Sequence, residues 1–277
     1  LIFTAMALST TGWNLSRIIG PAFAGLLIAW LADGDKTSAY GVGVVYLVIA
    51  SLYLFSALTV LKVDRPGKSQ RSRSGDSLAD MREGLQYVLA HPRIFALIVL
   101  SILPFLFGMP LNTLLPAFNQ DVLHGHADDL GYLISAMGGG AIIGSLLMAT
   151  MGDLRNKGFW LILSCLGWGA GTAAFGAFTV QWVALGLIAV IGMLSSWNMS
   201  LNRGMLQMQV EGHMRGRIMS IDMMSHGLMP LGVFPISLIA EYYGVGAALV
   251  TSGCALIAIT LLVALVMPSV RGTLRAG

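Results

Sequence analysis

The fold class this 277-residue chain predicts is an all-α integral membrane protein, a polytopic helical bundle with eight transmembrane helices. Three observations predict it. Hydrophobic residues make up 56% of the chain and charged residues 10%, against roughly 45–50% and about 25% in soluble domains. A soluble core cannot bury that excess, so the surplus must face lipid. Apolar runs of about 20 residues, the length that crosses a bilayer as a helix, recur eight times along the sequence. Finally, all but two of the 16 lysines and arginines fall in alternate connections between those runs, the sorting expected when positive residues are retained in the cytoplasm. Both ends of the chain and its one long loop are therefore placed on the cytoplasmic side.

The first run, 11–32, carries Asn14, Arg17 and the pair Gly20-Pro21. A charge at mid-bilayer costs at least about 2.5–3.5 kcal/mol on insertion scales, so Arg17 must face protein or water. It reads either as a ligand or coupling-site base, or as half of a buried pair with a helix outside this sequence. The opening "LIFTAMALS" has no initiator Met, signal pattern or basic flank and reads as the interior of a longer protein. The second run is 40–61.

The long polar segment 62–93 has two parts. "DRPGKSQRSRSG" is a basic, Ser/Gly-rich linker without apolar periodicity. In "DSLADMREGLQYVLAHP", Leu78, Met81, Leu85 and Val88 recur at helical spacing, Ser77 and Asp80 stand in capping-box positions, and Pro92 ends the pattern. The segment is an amphipathic helix, lying flat on the cytoplasmic membrane face or packed on neighbouring loops.

The third run, 94–117, contains Pro104, Pro110 and Pro116. Each removes a backbone hydrogen bond and permits a bend, which suits a gating helix. Phe105, Met109 and Asn112 in the same run are cavity candidates. The fourth run, 130–151, holds Gly138, Gly139, Gly140 and Gly144, and the fifth, 159–178, holds Gly167, Gly169 and Gly171. Small residues at such spacing let helix backbones approach closely in lipid, so Gly140 and Gly144 are assigned to helix packing or gating together with Gly20, Pro21 and the three prolines. Between these runs, "MGDLRNKGFW" is a short charged hairpin with Gly152, Asp153, Arg155 and Lys157.

The sixth run, 181–202, ends "SSWNMSLNRG", with Asn198 and Asn202 on one face and Trp197 beside it. These three complete the cavity set. More than half of the 16 methionines lie between 193 and 229, and Met suits surfaces that accept varied apolar partners. The loop 203–217 carries Arg203, Arg215 and Arg217. In the seventh run, 218–240, Asp222 and His226 are four apart and share a helix face. They are read as a proton-handling pair, or as a carboxylate drawn to the positive end of its helix beside a packing histidine. The eighth run is 245–267, and a tail, 268–277, follows. Cys165 and Cys254 lie inside apolar runs and read as small hydrophobes; a disulfide between them is possible. Metal-ligand clusters, nucleophile elbows and phosphate loops do not appear in the sequence, so no cofactor, metal or nucleic acid is expected.

Several segments resemble a known family, the major facilitator superfamily, in particular its enterobactin-exporter-like branch of bacterial efflux proteins. "NLSRIIGPAFAGLLIA" resembles that branch's fifth helix, and "SLADMREGLQYVLAHPRI" its amphipathic segment before helix seven. "LLPAFNQDVLHGHADDLGYLISAMGGGAIIGSLL" resembles its helix seven to eight passage, and "MRGRIMSI" the start of helix eleven. The resemblance covers nearly the whole chain, in family order. It implies twelve helices in two six-helix bundles, with substrate held between them. On that basis 1–61 supplies the last two helices of the N-terminal bundle, 62–93 is the cytoplasmic linker, and 94–267 is the C-terminal bundle. The four helices before them in the family would be partners from the same protein.

The resemblance further implies that the hairpin is the second-half counterpart of the superfamily's Gly/Asp/Arg loop motif. Asp153 would latch the bundles, with Gly152 permitting the turn and Arg155 and Lys157 holding the acid. A plain positive-inside turn is the other reading, since Leu154 separates Asp153 from Arg155 where the usual motif is tighter. The expected function is a proton-coupled secondary exporter of small, mostly apolar molecules in a bacterial inner membrane, not an enzyme. A lipid-modifying intramembrane enzyme and the permease subunit of an ATP-driven transporter are the alternatives. As coupling residues we expect Arg17, Asp222 and His226.

Overall fold

The computed structural model describes residues 12, 15, 16, 20, 23, 27, 39–62, 77–150 and 156–266. Arg17, Pro21, Gly152, Asp153 and Arg155 lie outside the described residues, as does most of the predicted span 11–32. Within that span Gly20 is helical and exposed. Every described element is helical, and seven helical stretches are long and apolar enough to cross a membrane. They coincide with the other seven predicted spans, with ends shifted by a few residues.

The chain divides into two compact units. In the smaller, Leu15–Gly75, helix α1 (Ala39–Leu61) has no acid in its first turn and no base in its last. Its large apolar side chains are exposed around the whole helix, Tyr46, Leu52, Phe55 and Leu58 among them. A helix hydrophobic all round belongs inside a large protein or in lipid.

In the larger unit, α2 (Ser77–Ala90) ends at His91, and Pro92 opens α3 (Pro92–Leu103). A proline at the first helical position loses only a donor that would be unpaired there anyway. A π turn, Pro104–Gly108, joins α3 to α4 (Pro110–Asp121). After them come α5 (Ala127–Thr150), α6 (Lys157–Ala177) and α7 (Gln181–Gln209). The last three are α8 (Arg215–Met224), a 3₁₀ turn at Ser225–Leu228 leading into α9 (Met229–Tyr243), and α10 (Val245–Val266).

Two glycine seams hold this unit together. Along α5 and α7, a Cβ on Gly140 would fall on the Ala189 carbonyl, one on Gly144 on the Met193 backbone, and one on Gly192 on the Met137 carbonyl. Along α6 and α10, Gly169 faces Gly253, and Gly176 faces Gly246. Helices meeting at such backbone distance gain dispersion contacts that lipid tails cannot match. Gly140 and Gly144 are thus packing residues. The two cysteines are free: Cys165 is buried with its sulfur 3.2 Å from the Thr260 hydroxyl, while Cys254 is exposed.

Helix α2 packs on α8. The Arg217 guanidinium donates to Asp80 and to Glu83, each at 2.7 Å, and Gly84 lets the Ile221 side chain approach. Of the predicted apolar stripe, Val88 is buried while Met81 and Leu85 are exposed, at 46% and 51%, and Leu89 beside them is exposed at 61%; the Leu78 side chain lies outside the described residues. The helix is docked on α8 through one edge and presents apolar side chains on another.

Candidate functional site

The proline-rich span is broken once, and three other helices hold the break. Pro104 begins the π turn, whose five-residue bond runs from the Met109 amide to the Pro104 carbonyl at 2.9 Å. Pro110 has no amide hydrogen to donate back into the turn. The Phe107 carbonyl accepts a bond from the Ser252 hydroxyl of α10 at 2.6 Å. Gly232 of α9 lies against the Leu106 carbonyl, and a Cβ on Gly108 would come within 2.7 Å of the Trp168 indole on α6. Pro116 is different: it is exposed inside α4, and the helix continues through it. Three bends were expected from three prolines; the hydrogen-bond pattern is interrupted at one place, between Pro104 and Pro110.

That interruption forms one wall of a cleft. Its lining is Ser101, Pro104, Phe105 and Met109 from the broken helix, Trp168 from α6, and Asn198, Met199, Asn202 and Arg203 from α7. Its cavity volume is about 10 Å³, room for about one water molecule. Four of the six predicted cavity residues, Phe105, Met109, Asn198 and Asn202, line it. Asn198 and Asn202 also tie the bundle together. The Asn198 amide donates to the Leu161 carbonyl and the Ser164 hydroxyl, and the Asn202 amide donates to the Leu97 carbonyl at 3.0 Å. Among the described residues the Asn202 Oδ1 and the Trp168 Nε1 are buried without a hydrogen-bond partner, polar atoms for a bound water or cargo to satisfy.

Asn112 and Trp197 do not belong to the lining. The Asn112 amide turns back to the Met109 sulfur at 3.4 Å, because the π turn has shifted the phase of everything after it. Trp197 precedes Asn198 by one position, roughly 100° around the helix. Its ring stacks on Trp160 with centroids 5.6 Å apart.

Beside the cleft sits a polar cluster that sequence reading located only in part. Asp222 is 1% exposed. Its Oδ1 accepts a bond from the Ser101 hydroxyl at 2.6 Å, and its Oδ2 lies 3.8 Å from the Arg203 Nε, with no hydrogen-bond partner among the described residues. His226 also meets Arg203, its Nε2 lying 3.2 Å from an Arg203 terminal nitrogen, while its ring stands 4.1 Å from the Phe105 ring. Among the described residues no bond joins Asp222 to His226. The expected direct pair is corrected to two groups sharing one arginine, because the chain tightens into a 3₁₀ turn at Ser225 and the four-residue spacing ceases to be that of one α-helical face. Arg203 itself had been assigned to a cytoplasmic loop. Helix α7 instead continues to Gln209, carrying Arg203 inward with its side chain 33% exposed. Lys157, the one described base of the hairpin, lies in the first turn of α6.

The profile of a family described as transmembrane secretion effector matches residues 1–273. Among curated relatives, the Staphyloferrin A transporter of Staphylococcus aureus is 26% identical over 249 residues, which are 90% of this chain and 60% of that protein. Macrolide efflux protein A of Streptococcus pyogenes is 22% identical over 252 residues, again 90% and 60%. The multidrug efflux pump Tap of Mycolicibacterium fortuitum is 24% identical over 240 residues, 85% and 56%. The chain thus spans about 60% of the length of the curated relatives it matches.

Proposed function

We propose that this chain, which belongs to the transmembrane secretion effector family of the major facilitator superfamily, is the larger part of a proton-coupled exporter of small, mostly apolar molecules. The observation that carries this reading is the cleft at the broken helix. Its wall combines Met109, Met199 and Phe105 with unpartnered polar atoms of Asn202 and Trp168, the mixture that lets a greasy cargo bind and be oriented. A buried carboxylate, Asp222, stands behind it. The names of relatives that move a siderophore, macrolides and several drugs support the same class of cargo. The membrane potential supplies about 2.3 kcal/mol per charge per 100 mV, enough to drive such export.

In this reading, 94–267 is one bundle of two, 62–93 is the linker between them, and the cleft is the cargo-facing part of the 94–267 bundle. The two termini and the 210–214 turn face the cytoplasm of a bacterial inner membrane, the side to which the distribution of bases points. The apolar stripe Met81, Leu85 and Leu89 then rests in the interface region of the bilayer. Arg17 is a further coupling residue, and Asp153 the cytoplasmic latch.

Efflux of a macrolide from energised vesicles tests the proposal. Transport is expected to stop when an uncoupler collapses the proton gradient and to continue without ATP. Transport that needs ATP with the gradient collapsed assigns the chain to an ATP-driven permease instead. In the same assay Asp153→Asn is expected to slow export; unchanged export with unchanged accessibility of both membrane faces makes the hairpin a plain turn.

A further inference from the structure

Arg203 is the charged group shared by the cleft and the polar cluster behind it, and its hydrogen bonds fix the protonation of its neighbours. A guanidinium only donates. Its terminal nitrogen lies 3.2 Å from the His226 Nε2, so that nitrogen must offer its lone pair. The other ring nitrogen, Nδ1, lies 3.1 Å from the Met223 carbonyl, which only accepts, so Nδ1 must carry the hydrogen. His226 is therefore neutral and held as the Nδ1–H tautomer. On the other side of Arg203, Asp222 keeps one oxygen on the Ser101 hydroxyl and leaves the other bare, 3.8 Å from the guanidinium. A buried carboxylate oxygen with no partner is costly, and it lies within a short side-chain movement of the cation.

We infer that Arg203 is a two-position cation, held by the bare nitrogen of neutral His226 and sent to the free oxygen of Asp222 when a proton occupies that nitrogen. The step is a simple proton addition: the Nε2 lone pair takes a proton from water, and no covalent bond breaks in the protein. Its consequences follow from charge. Protonated Nε2 can no longer accept, and two cations would face each other at hydrogen-bond distance, whereas the vacant carboxylate oxygen is the nearest negative charge. Among the described residues, the groups facing His226 from the surrounding elements are Arg203 of α7 and the uncharged Phe105 ring of the π turn; Asp222 of α8 faces Arg203 and the Ser101 hydroxyl of α3. Because Arg203 also lines the cleft, its shift toward Asp222 repositions the cleft's cation as the proton arrives. Proton and cargo sites are then linked through one side chain. The linkage to cargo rests on the proposed exporter reading; the switch itself does not.

Selective nitrogen-15 labelling of arginine and histidine in this chain, held in lipid nanodiscs, tests it without any transport measurement. The His226 signals are assigned by their loss in His226→Gln. Near pH 8 the His226 ring is expected to show a protonated Nδ1 and a bare Nε2. On acidification to about pH 5, the Arg203 Nε signal is expected to move to a carboxylate-bonded position. That movement should vanish both in His226→Gln and in Asp222→Asn, and the second variant keeps the test available if the first folds poorly. An Nε2–H tautomer at high pH overturns the inference, as does an Arg203 signal that moves equally in all three proteins. A failed efflux assay would leave the switch standing, and a static arginine would leave the exporter reading standing.

Discussion

Gly140→Leu is expected to lower the folded fraction of the larger unit sharply, while Gly139→Leu, one residue away, leaves it near wild type. The two glycines differ only in what a side chain would meet. At Gly139 nothing lies within 4 Å of a Cβ, whereas at Gly140 the Ala189 carbonyl occupies the space. Backbone cannot rotate aside as a side chain can, so α5 and α7 must separate along the seam that Gly144 and Gly192 share. Overpacking typically costs about 1–3 kcal/mol and occasionally more, and a clash with main chain belongs to the upper part of that range. Gly186→Leu and Gly192→Leu repeat the contrast from the other helix, since Gly186 is open and Gly192 faces the Met137 carbonyl. The monodisperse fraction after detergent extraction, followed by size-exclusion chromatography, reads the result. Equal losses at Gly139 and Gly140 would mean the seam is not as close as described.

Arg203→Met is expected to destabilise the protein more than Asp222→Asn does, and the double variant less than Arg203→Met alone. Removing the arginine leaves a carboxylate that is 1% exposed with only the Ser101 hydroxyl beside it. Asparagine, by contrast, still offers an oxygen to Ser101, and Arg203 keeps a third of its surface exposed and its bond to His226. Breaking a fully buried pair from one side costs about 3–5 kcal/mol. The 3.8 Å separation and the exposure of Arg203 reduce this to about 2 kcal/mol here. Thermal unfolding of the three variants in one detergent measures the ordering. Additive losses in the double variant would show that the two side chains do not interact.

The spans were legible in the sequence because hydropathy over about 20 residues depends on composition rather than on detail. Gly140, Gly144 and Gly169 were legible for a related reason, since spacing of small residues along a helix already says which backbone can be approached, while their seam partners Gly192, Gly176, Gly246 and Gly253 were not singled out. The site was readable only in part. Asn198 and Asn202 stand four apart within one regular helix, so their shared face survives folding. Asn112 follows a π turn that no local propensity announces, and its predicted face was lost with the phase. Arg203 was missed because a base next to the end of an apolar run looks like a positive-inside marker. Only the continuation of α7 to Gln209 brings it back beside Asp222. Ser101 and Trp168 sit within apolar runs, and nothing in the one-dimensional pattern separates them from residues that merely pack.

The central claim is that the large apolar surface of this chain faces lipid while the cleft at the broken helix faces water. It is tested most directly by cysteine reactivity in membranes, in a Cys254→Ser background that leaves the buried Cys165 as the other thiol. Met199 lines the cleft, and Leu262 is an exposed apolar residue of α10. A small charged maleimide is predicted to label Met199→Cys readily, to do so more slowly in the presence of a macrolide, and to leave Leu262→Cys unreacted. Equal labelling at both positions, or a cleft cysteine that the reagent never reaches, would contradict the account.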